Sequence, residues 1–408
     1  MQPERTSPPT CPAGTDWDKS RERLRSRRIL FAAGAVRGGG AEGQLFQLAS
    51  ALHELGHQVT VATLTPHEVR SQFTQLPLCG RMTGNRVANA VALACAGARL
   101  AAFIRRTKPD VVITWLAIPT LMGAAALVGT SIPWIAAIRN AEPEMLRSVP
   151  PGILRVPLRA ALSRATLVIA NSGAGIHGYR ELGLLAHGRT SIIGNCIDPN
   201  RFHPPSTEQR ARARARFGIA ADAPVVAYVG RDAPEKNLAL LVATLAVLPA
   251  HAPGAHLMVV GVLAERLAAI AASTGNALAD SVQVHARMQG IEDVYMAADV
   301  LLLTSRHEGS PNVVHEARAC GTAIVSTDCG DVRETMLPQD RVVPSQPAHL
   351  AAAVAEALAS SGRPRAAPQP MSPADCAGRW LDAIESMLES QPRSRPAVTP
   401  NAIAPPTR

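Results

Sequence analysis

The residues of this chain best suited to chemistry lie between positions 300 and 334, VLLLTSRHEGSPNVVHEARACGTAIVSTDCGDVRE. The apolar run Val300–Thr304 predicts a buried strand, because strands covered on both faces read as unbroken apolar stretches. A polar turn with Glu308 and Gly309 follows, and Pro311 suits the first turn of a helix. Val313, Val314 and Ala317 supply that helix with a buried face. Glu308 therefore stands just before a helix N-terminus, and Glu316 stands about a turn inside it. Carboxylates accept hydrogen bonds from vicinal hydroxyls, and the unpaired N–H groups of a helix start attract an anion. The arrangement suits a ligand carrying both hydroxyls and phosphate. A plainer reading fits the spacing equally well: Glu308 caps its own helix and Glu316 lies on a wet face.

The second such element runs from Val229 to Asn237, VGRDAPEKN, where the first strand of a second sheet ends. Arg231 offers a planar fork of donors and Lys236 a compact charge, and both suit phosphate. Facing a helix N-terminus and two carboxylates, this basic pair makes a site for a nucleotide diphosphate with a polyol attached.

Three other strings mislead. His53-Glu54-Leu55-Gly56-His57 matches H-E-x-x-H, but Gly56 falls where the helix should stop and the strand Val59–Leu64 follows almost at once. His57 then lies in a turn, off the helical face that zinc ligation needs. Gly38–Gly43, GGGAEG, matches G-x-G-x-x-G, yet the loop before it is long and no acid ends the second strand to hold a ribose. Anion contact is expected there, and nicotinamide binding is not. Asp16-Trp17-Asp18 matches a metal-holding D-x-D but sits in a segment with no strand around it.

The elements that must position these residues alternate along the chain. Candidate strands are Ile29–Ala32, Val59–Leu64, Val111–Trp115, Trp134–Ile138, Leu167–Ala170 and Ser191–Ile193, then Val225–Val229, Leu257–Val260, Val282–His285, Val300–Thr304 and Ala323–Ser326. Helical patterns separate them, which predicts an α/β chain with two doubly wound domains and a hinge near 196–222. The uncharged stretch 111–138 is long enough to cross a bilayer, but Pro119, Gly123, Gly129 and Pro133 break it into a strand, a short helix and a strand. The Arg-rich stretch Gln209–Arg216 reads as a solvated helix between lobes. The expected divisions are a flexible tail over 1–27, a first domain over 28–198, a second over 199–373, a helix over 374–390 crossing back to the first, and a tail over 391–408.

Composition narrows the classes. A length of 408 residues allows about two to three domains. Aromatic residues are 3% of the chain, which argues against a single-strand binder built on base stacking. The net charge of +9 suits an anionic partner. Seven scattered cysteines fit a reducing compartment, and the N-terminal segment lacks the apolar core of a signal peptide.

The string E-G-S-P-N-V-V-H-E-A followed by A-C-G-T-A-I-V resembles the donor site of family 4 retaining glycosyltransferases. V-G-R-x4-K-N resembles the diphosphate clamp of that family, and R-G-G-G-A-E and the junction Ile193–Asp198 with Phe202 are similar to it too. The resemblance spans about residues 28–390. It implies the GT-B architecture, two Rossmann-like domains facing across a cleft, with acceptor binding in the first and a nucleotide-diphosphate sugar in the second. It also implies the roles. Glu316 holds the ribose and Glu308 a sugar hydroxyl, and Arg231 and Lys236 neutralise the leaving diphosphate. Gly309, Ser310, Pro311, Asn312 and Val313 line the donor, and Gly39 and Gly40 approach the diphosphate from the first lobe. Relatives carry a His near the fourth strand of that lobe, where this chain has Arg139 and Asn140. Either contacts the sugar or simply ends the strand. The turn at Gly261–Ala264 lacks the usual acid and second glycine.

The expected function is therefore retaining transfer of a sugar, UDP-linked by the S-P-N pointer, to a glycan or lipid-linked acceptor in surface polysaccharide or glycoconjugate synthesis. No cofactor and no metal are expected beyond the nucleotide sugar as co-substrate, and no nucleic acid. The expected location is cytoplasmic, with peripheral contact at the inner face of an anionic membrane. The alternatives are an epimerase or hydrolase of nucleotide sugars on the same fold, a non-catalytic nucleotide-sugar-binding subunit and, last, a metallopeptidase.

Overall fold

The computed structural model describes residues 26–34, 39–66, 71–80, 86–143, 146, 153–186, 188–278, 281–360 and 369–390. The Asp16-Trp17-Asp18 string, Gly38, and nearly all of both expected tails lie outside them.

The first sheet has seven strands: β1 Arg28–Ala33, β2 Gln58–Thr63, β3 Thr74–Pro77, β4 Val111–Trp115, β5 Trp134–Ile138, β6 Leu167–Ala170 and β7 Thr190–Ile192. Their order is β3-β2-β1-β4-β5-β6-β7, every pair parallel. The second sheet holds β8 Val225–Val229, β9 His256–Val260, β10 Val282–His285, β11 Val300–Leu303, β12 Ala323–Thr327 and β13 Arg341–Val343, in the order β10-β9-β8-β11-β12-β13, again all parallel. The apolar runs become central strands because both faces are covered. In each sheet the winding reverses beside the first strand, between β1 and β4 and between β8 and β11. Crevices at the C-terminal strand ends of such reversal points are where doubly wound sheets bind ligands.

In the first lobe, α1 Gly40–Glu54 packs on one face of the sheet together with α12 Pro373–Glu389, the last helix among the described residues, through Cys376, Trp380 and Ile384. The opposite face is covered by α2 Arg86–Thr107, α3 Ala117–Ala126 and α4 Arg155–Arg164, with α5 Gly173–Glu181 beside them. Around the second sheet, α6 Thr207–Arg216, α9 Glu292–Ala297 and α10 Asn312–Ala319 lie on one face. On the other lie α7 Leu238–His251, α8 Ala264–Thr274 and α11 Pro347–Ala359.

The stretch 111–138 is β4, α3 and β5, as its glycines and prolines predict. Several expectations need correction. The edge strands β3 and β13 go unread in the sequence: β3 is half-exposed and ends in Pro77, and β13 has three residues, so neither shows an apolar run. Pro311 caps α10 instead of opening it. Helix α6 is not simply solvated. Arg214 is 4% exposed. Asp299 pairs with it at 3.0 Å and with Arg210 at 2.7 Å, and also accepts from the Val225 N–H. The tail also ends earlier than read: Arg27 makes a paired contact with Glu385 of α12 at 2.8 and 2.5 Å.

Candidate functional site

The loop after β11 enters α10 through Glu308, Gly309, Ser310 and Pro311. Lys236, in a short 3-10 turn after β8, donates from Nζ to Glu308 Oε1 at 2.6 Å. Both side chains are mostly covered, at 13% and 15% exposure, which makes the ion pair stronger than a surface one. The Thr304 hydroxyl donates to the Lys236 carbonyl at 3.0 Å and so ties the two loops together. Arg231 does not join them. It reaches Glu235 at 2.6 Å and is 56% exposed.

Glu316 projects from the second turn of α10 into the lobe. Tyr295 of α9 donates its hydroxyl to Glu316 Oε2 at 2.7 Å. Burial raises the pKa of this carboxyl above the usual carboxylate value, partly offset by the Tyr295 hydrogen bond. Val313 packs partly buried against the core of the lobe.

The first lobe meets this loop directly. Ser172, the N-cap of α5, donates to the Gly309 carbonyl at 2.8 Å and accepts from Gly175 N–H at 3.1 Å. A Cβ on Gly309 would come within 2.9 Å of Asn171 Oδ1 and 3.2 Å of Asn140 Cα, so the contact between lobes needs glycine there. Gly40, the first residue of α1, is equally close. A Cβ there would stand 2.6 Å from Asn312 Nδ2. Gly39 caps α1, its N–H bound to Glu42 Oε2 at 2.7 Å. Asn195 bridges the lobes from the linker, donating to Ser310 O at 2.9 Å and to Asn312 Oδ1 at 2.5 Å.

Arg139 and Asn140 follow β5. Arg139 is turned inward, at 7% exposure. Its guanidinium lies 4.9 Å over the Trp115 ring and donates to Ile193 O at 3.1 Å and to Asn195 Oδ1. Burial lowers its pKa to about 10. Asn140 Oδ1 accepts from the Tyr179 hydroxyl at 3.0 Å. Arg139 thus reaches the loop after β11 through Asn195, and Asn140 through its backbone beside Gly309. Asn195, Ser172 and Tyr295 are the residues of this cluster that sequence reasoning gave no role. Their partners lie 21 to 137 positions away, and no spacing rule reaches so far.

Ser310 Oγ and His315 Nε2 meet at 2.6 Å. Burial, aided by the charge of Arg318, pushes His315 down to about 4. A histidine depressed in the fold contributes stability above its ordinary value near 6.5, and that contribution is lost as pH falls toward 4. The loss is on the order of 3 kcal/mol. His315→Gln is expected to flatten this part of the pH dependence in urea titrations at pH 7 and 4.5. Equal slopes in both proteins would contradict it.

His53 and His57 are not joined by a third ligand: among the described residues no group of three or more His, Cys, Asp or Glu is placed to hold a metal ion. A concavity at the N-terminal edge of the second sheet is lined by Arg210, Arg214, Asp222 and His251. Asp299 already engages both arginines there.

The family model described as Glycosyltransferase Family 4 matches residues 38–201, and that described as Glycosyl transferases group 1 matches 223–360. Curated relatives include a D-inositol 3-phosphate glycosyltransferase of Xylanimonas cellulosilytica, 31% identical over 36% of this chain and 37% of that protein. One of Saccharomonospora viridis is 35% identical over 33% of each. The chain thus matches about a third of the length of these relatives. Among solved structures, Anabaena HepE in complex with UDP and glucose superposes with a TM-score of 0.68 at 20% identity, covering 88% of this chain and 100% of that one. Sucrose-phosphate synthase from Thermosynechococcus elongatus gives 0.69 at 22% identity, covering 88% and 96%. At such identities the likeness concerns the fold, which is GT-B.

Proposed function

We propose, from the premise that the chain belongs to the family 4 glycosyltransferases, that it transfers a sugar with retention from a UDP-linked donor to a glycan or lipid-linked acceptor. The pathway class is surface polysaccharide or glycoconjugate synthesis. Residues 28–198 take the acceptor and residues 199–373 the donor, with 374–390 closing back on the first lobe. The observation that carries this reading is the convergence of Lys236, Glu308, the start of α10 and partly buried Glu316 at the reversal point of the second sheet.

The hard step is breaking the anomeric C–O bond while negative charge grows on the diphosphate. Lys236 and the free N–H groups of α10 supply fixed positive potential where that charge appears, in a site the first lobe covers. Arg231, on an exposed stem, adds charge when its Glu235 contact is exchanged for phosphate. These groups can do the work of a metal ion, so transfer is metal-independent. Glu316 accepts from the ribose hydroxyls and Glu308 from a sugar hydroxyl. Gly39 and Gly40 bring the first lobe close to the diphosphate, and Asn140 with Gly309 to Val313 walls the sugar. The enzyme works in the cytoplasm, in peripheral contact with the inner face of an anionic membrane. The positive charge of the chain supports that placement.

Calorimetric titration with UDP, GDP and ADP, each with and without EDTA, tests the reading. Selective binding of UDP, insensitive to EDTA, is the expected result. Binding of none of them by the folded chain would remove the donor site from this cleft.

A further inference from the structure

The outer helical layer of the first lobe, α2 to α4, has an unusual surface. None of the three helices contains an Asp or Glu. Between residues 69 and 164 the acids are Asp110, which is bound to Arg28 of β1 at 3.2 Å, and Glu142 and Glu144, which lie in the connection between β5 and α4 and outside the three helices. Arginines stand on the two flanking helices, Arg99, Arg105 and Arg106 on α2 and Arg155, Arg159 and Arg164 on α4, while α3 between them is uncharged. Among the described residues none of them pairs with a carboxylate. Of nine large apolar side chains standing exposed among the described residues, five belong to this layer: Val91 at 58%, Ile118 at 39%, Val128 at 55%, Ile153 at 64% and Val156 at 70%.

Local causes explain single residues. Arg105 and Arg106 complement the C-terminal end of the α2 dipole. Arg99, Arg155 and Arg164 donate to the carbonyls of Leu78, Leu182 and Ala124 at 2.7, 2.8 and 3.0 Å. Neither cause removes acids from three adjacent helices, because an ordinary solvated layer mixes both signs. Nor does either place valines and isoleucines among the arginines. Helix α2 is apolar enough over Ala88–Thr107 to cross a membrane by length and composition, yet only 17% of its most apolar window is buried. Ala96, Leu100 and Ile104 anchor it in the core of the lobe, so it lies along the surface as part of the fold.

We propose that this layer is a docking surface for an anionic lipid bilayer. Exposed valine and isoleucine enter the boundary between headgroups and acyl chains, while the arginines meet lipid phosphates. A nucleic acid fits less well, since its interfaces are polar and this one carries apolar side chains between the charges. The surface specifies where the membrane contact of the proposed function is made. It rests on that contact and not on the donor assignments.

The test uses the full chain with phosphatidylcholine vesicles, with and without phosphatidylglycerol, and with UDP binding measured in parallel. The expected result is salt-sensitive binding to the anionic vesicles alone. Binding falls at least about tenfold in Arg105→Glu/Arg106→Glu, since each basic residue near such a surface contributes about fivefold. It falls likewise in Val156→Asp, and UDP binding is unchanged in both. Variants that bind vesicles as the wild type does would transfer the contact to other parts of the chain and overturn the proposal. So would equal binding to neutral vesicles, or resistance to alkaline extraction, which would mean that α2 spans the bilayer. A dimer in vesicle-free solution that Val156→Asp separates would assign the layer to a second copy instead. Loss of UDP binding in the wild type, with vesicle binding intact, would sink the donor reading and leave this surface standing.

Discussion

Lys236→Ala is expected to slow sugar transfer by about 100- to 1,000-fold while leaving nucleotide affinity much less affected, the usual consequence of removing one preorganised group that meets transition-state charge. The asymmetry follows from the geometry. In the ground state Lys236 is already engaged by Glu308 at 2.6 Å, so exchanging that partner for a diphosphate gains little. As the C–O bond breaks, the charge on the leaving oxygen grows, and Lys236 meets it in a site with little water to compensate. Lys236→Arg should recover part of the rate, since the charge returns but on a longer, planar head that does not place it where the compact lysine ammonium stood. Initial rates and calorimetric affinities on the same variants check both halves. An unchanged rate in Lys236→Ala would take the clamp away from this residue. An equal loss of affinity and rate would make it a binding group only. The alanine variant also leaves Glu308 unpaired at 15% exposure, so a double variant with Glu308→Gln separates loss of charge from an orphaned carboxylate.

Much of this site can be read from the chain because its parts are local. A strand run, a polar turn, a proline and a helix face lie within residues 300–320, and simple steric and periodic rules order them. The central strands are readable for the same reason: being covered on both faces forces apolar runs. Long-range compensation is what the sequence hides. The alternating Arg-Ala string of α6 looks solvated until Asp299, 85 positions beyond Arg214, is folded against it. Arg27 looks like tail until Glu385 of the last helix pairs with it. Arg139 offered two readings at a strand end, and its neighbours Trp115 and Asn195 turn it into the interior, so it supports the loop after β11 from behind. Asn195 itself reads as part of a junction, and only the closed approach of the two lobes shows it holding Ser310 and Asn312.

Glu316 is where burial and binding oppose each other. Burial lifts its carboxyl pKa, so between the ordinary glutamate value and the folded one the native chain holds a proton that the unfolded chain has released. Stability from this group is therefore present at low pH and falls as pH rises through that window, opposite in sign to His315. Binding runs the other way. Two ribose hydroxyls need an ionised acceptor, and the Tyr295 hydroxyl at 2.7 Å already favours that form. Glu316→Gln is expected to stabilise the ligand-free chain at neutral pH, because a neutral isostere removes a buried charge and keeps an oxygen for Tyr295. The same variant should bind UDP about 30- to 1,000-fold more weakly, corresponding to roughly 2–4 kcal/mol from lost charge-assisted hydrogen bonds. Wild-type affinity should rise with pH through the Glu316 titration, and the variant should show no such rise. Thermal unfolding and UDP titration across that pH range measure both effects. A variant with wild-type affinity would remove the ribose from Glu316. A variant less stable at neutral pH would mean that the Tyr295 bond outweighs the desolvation of the charge.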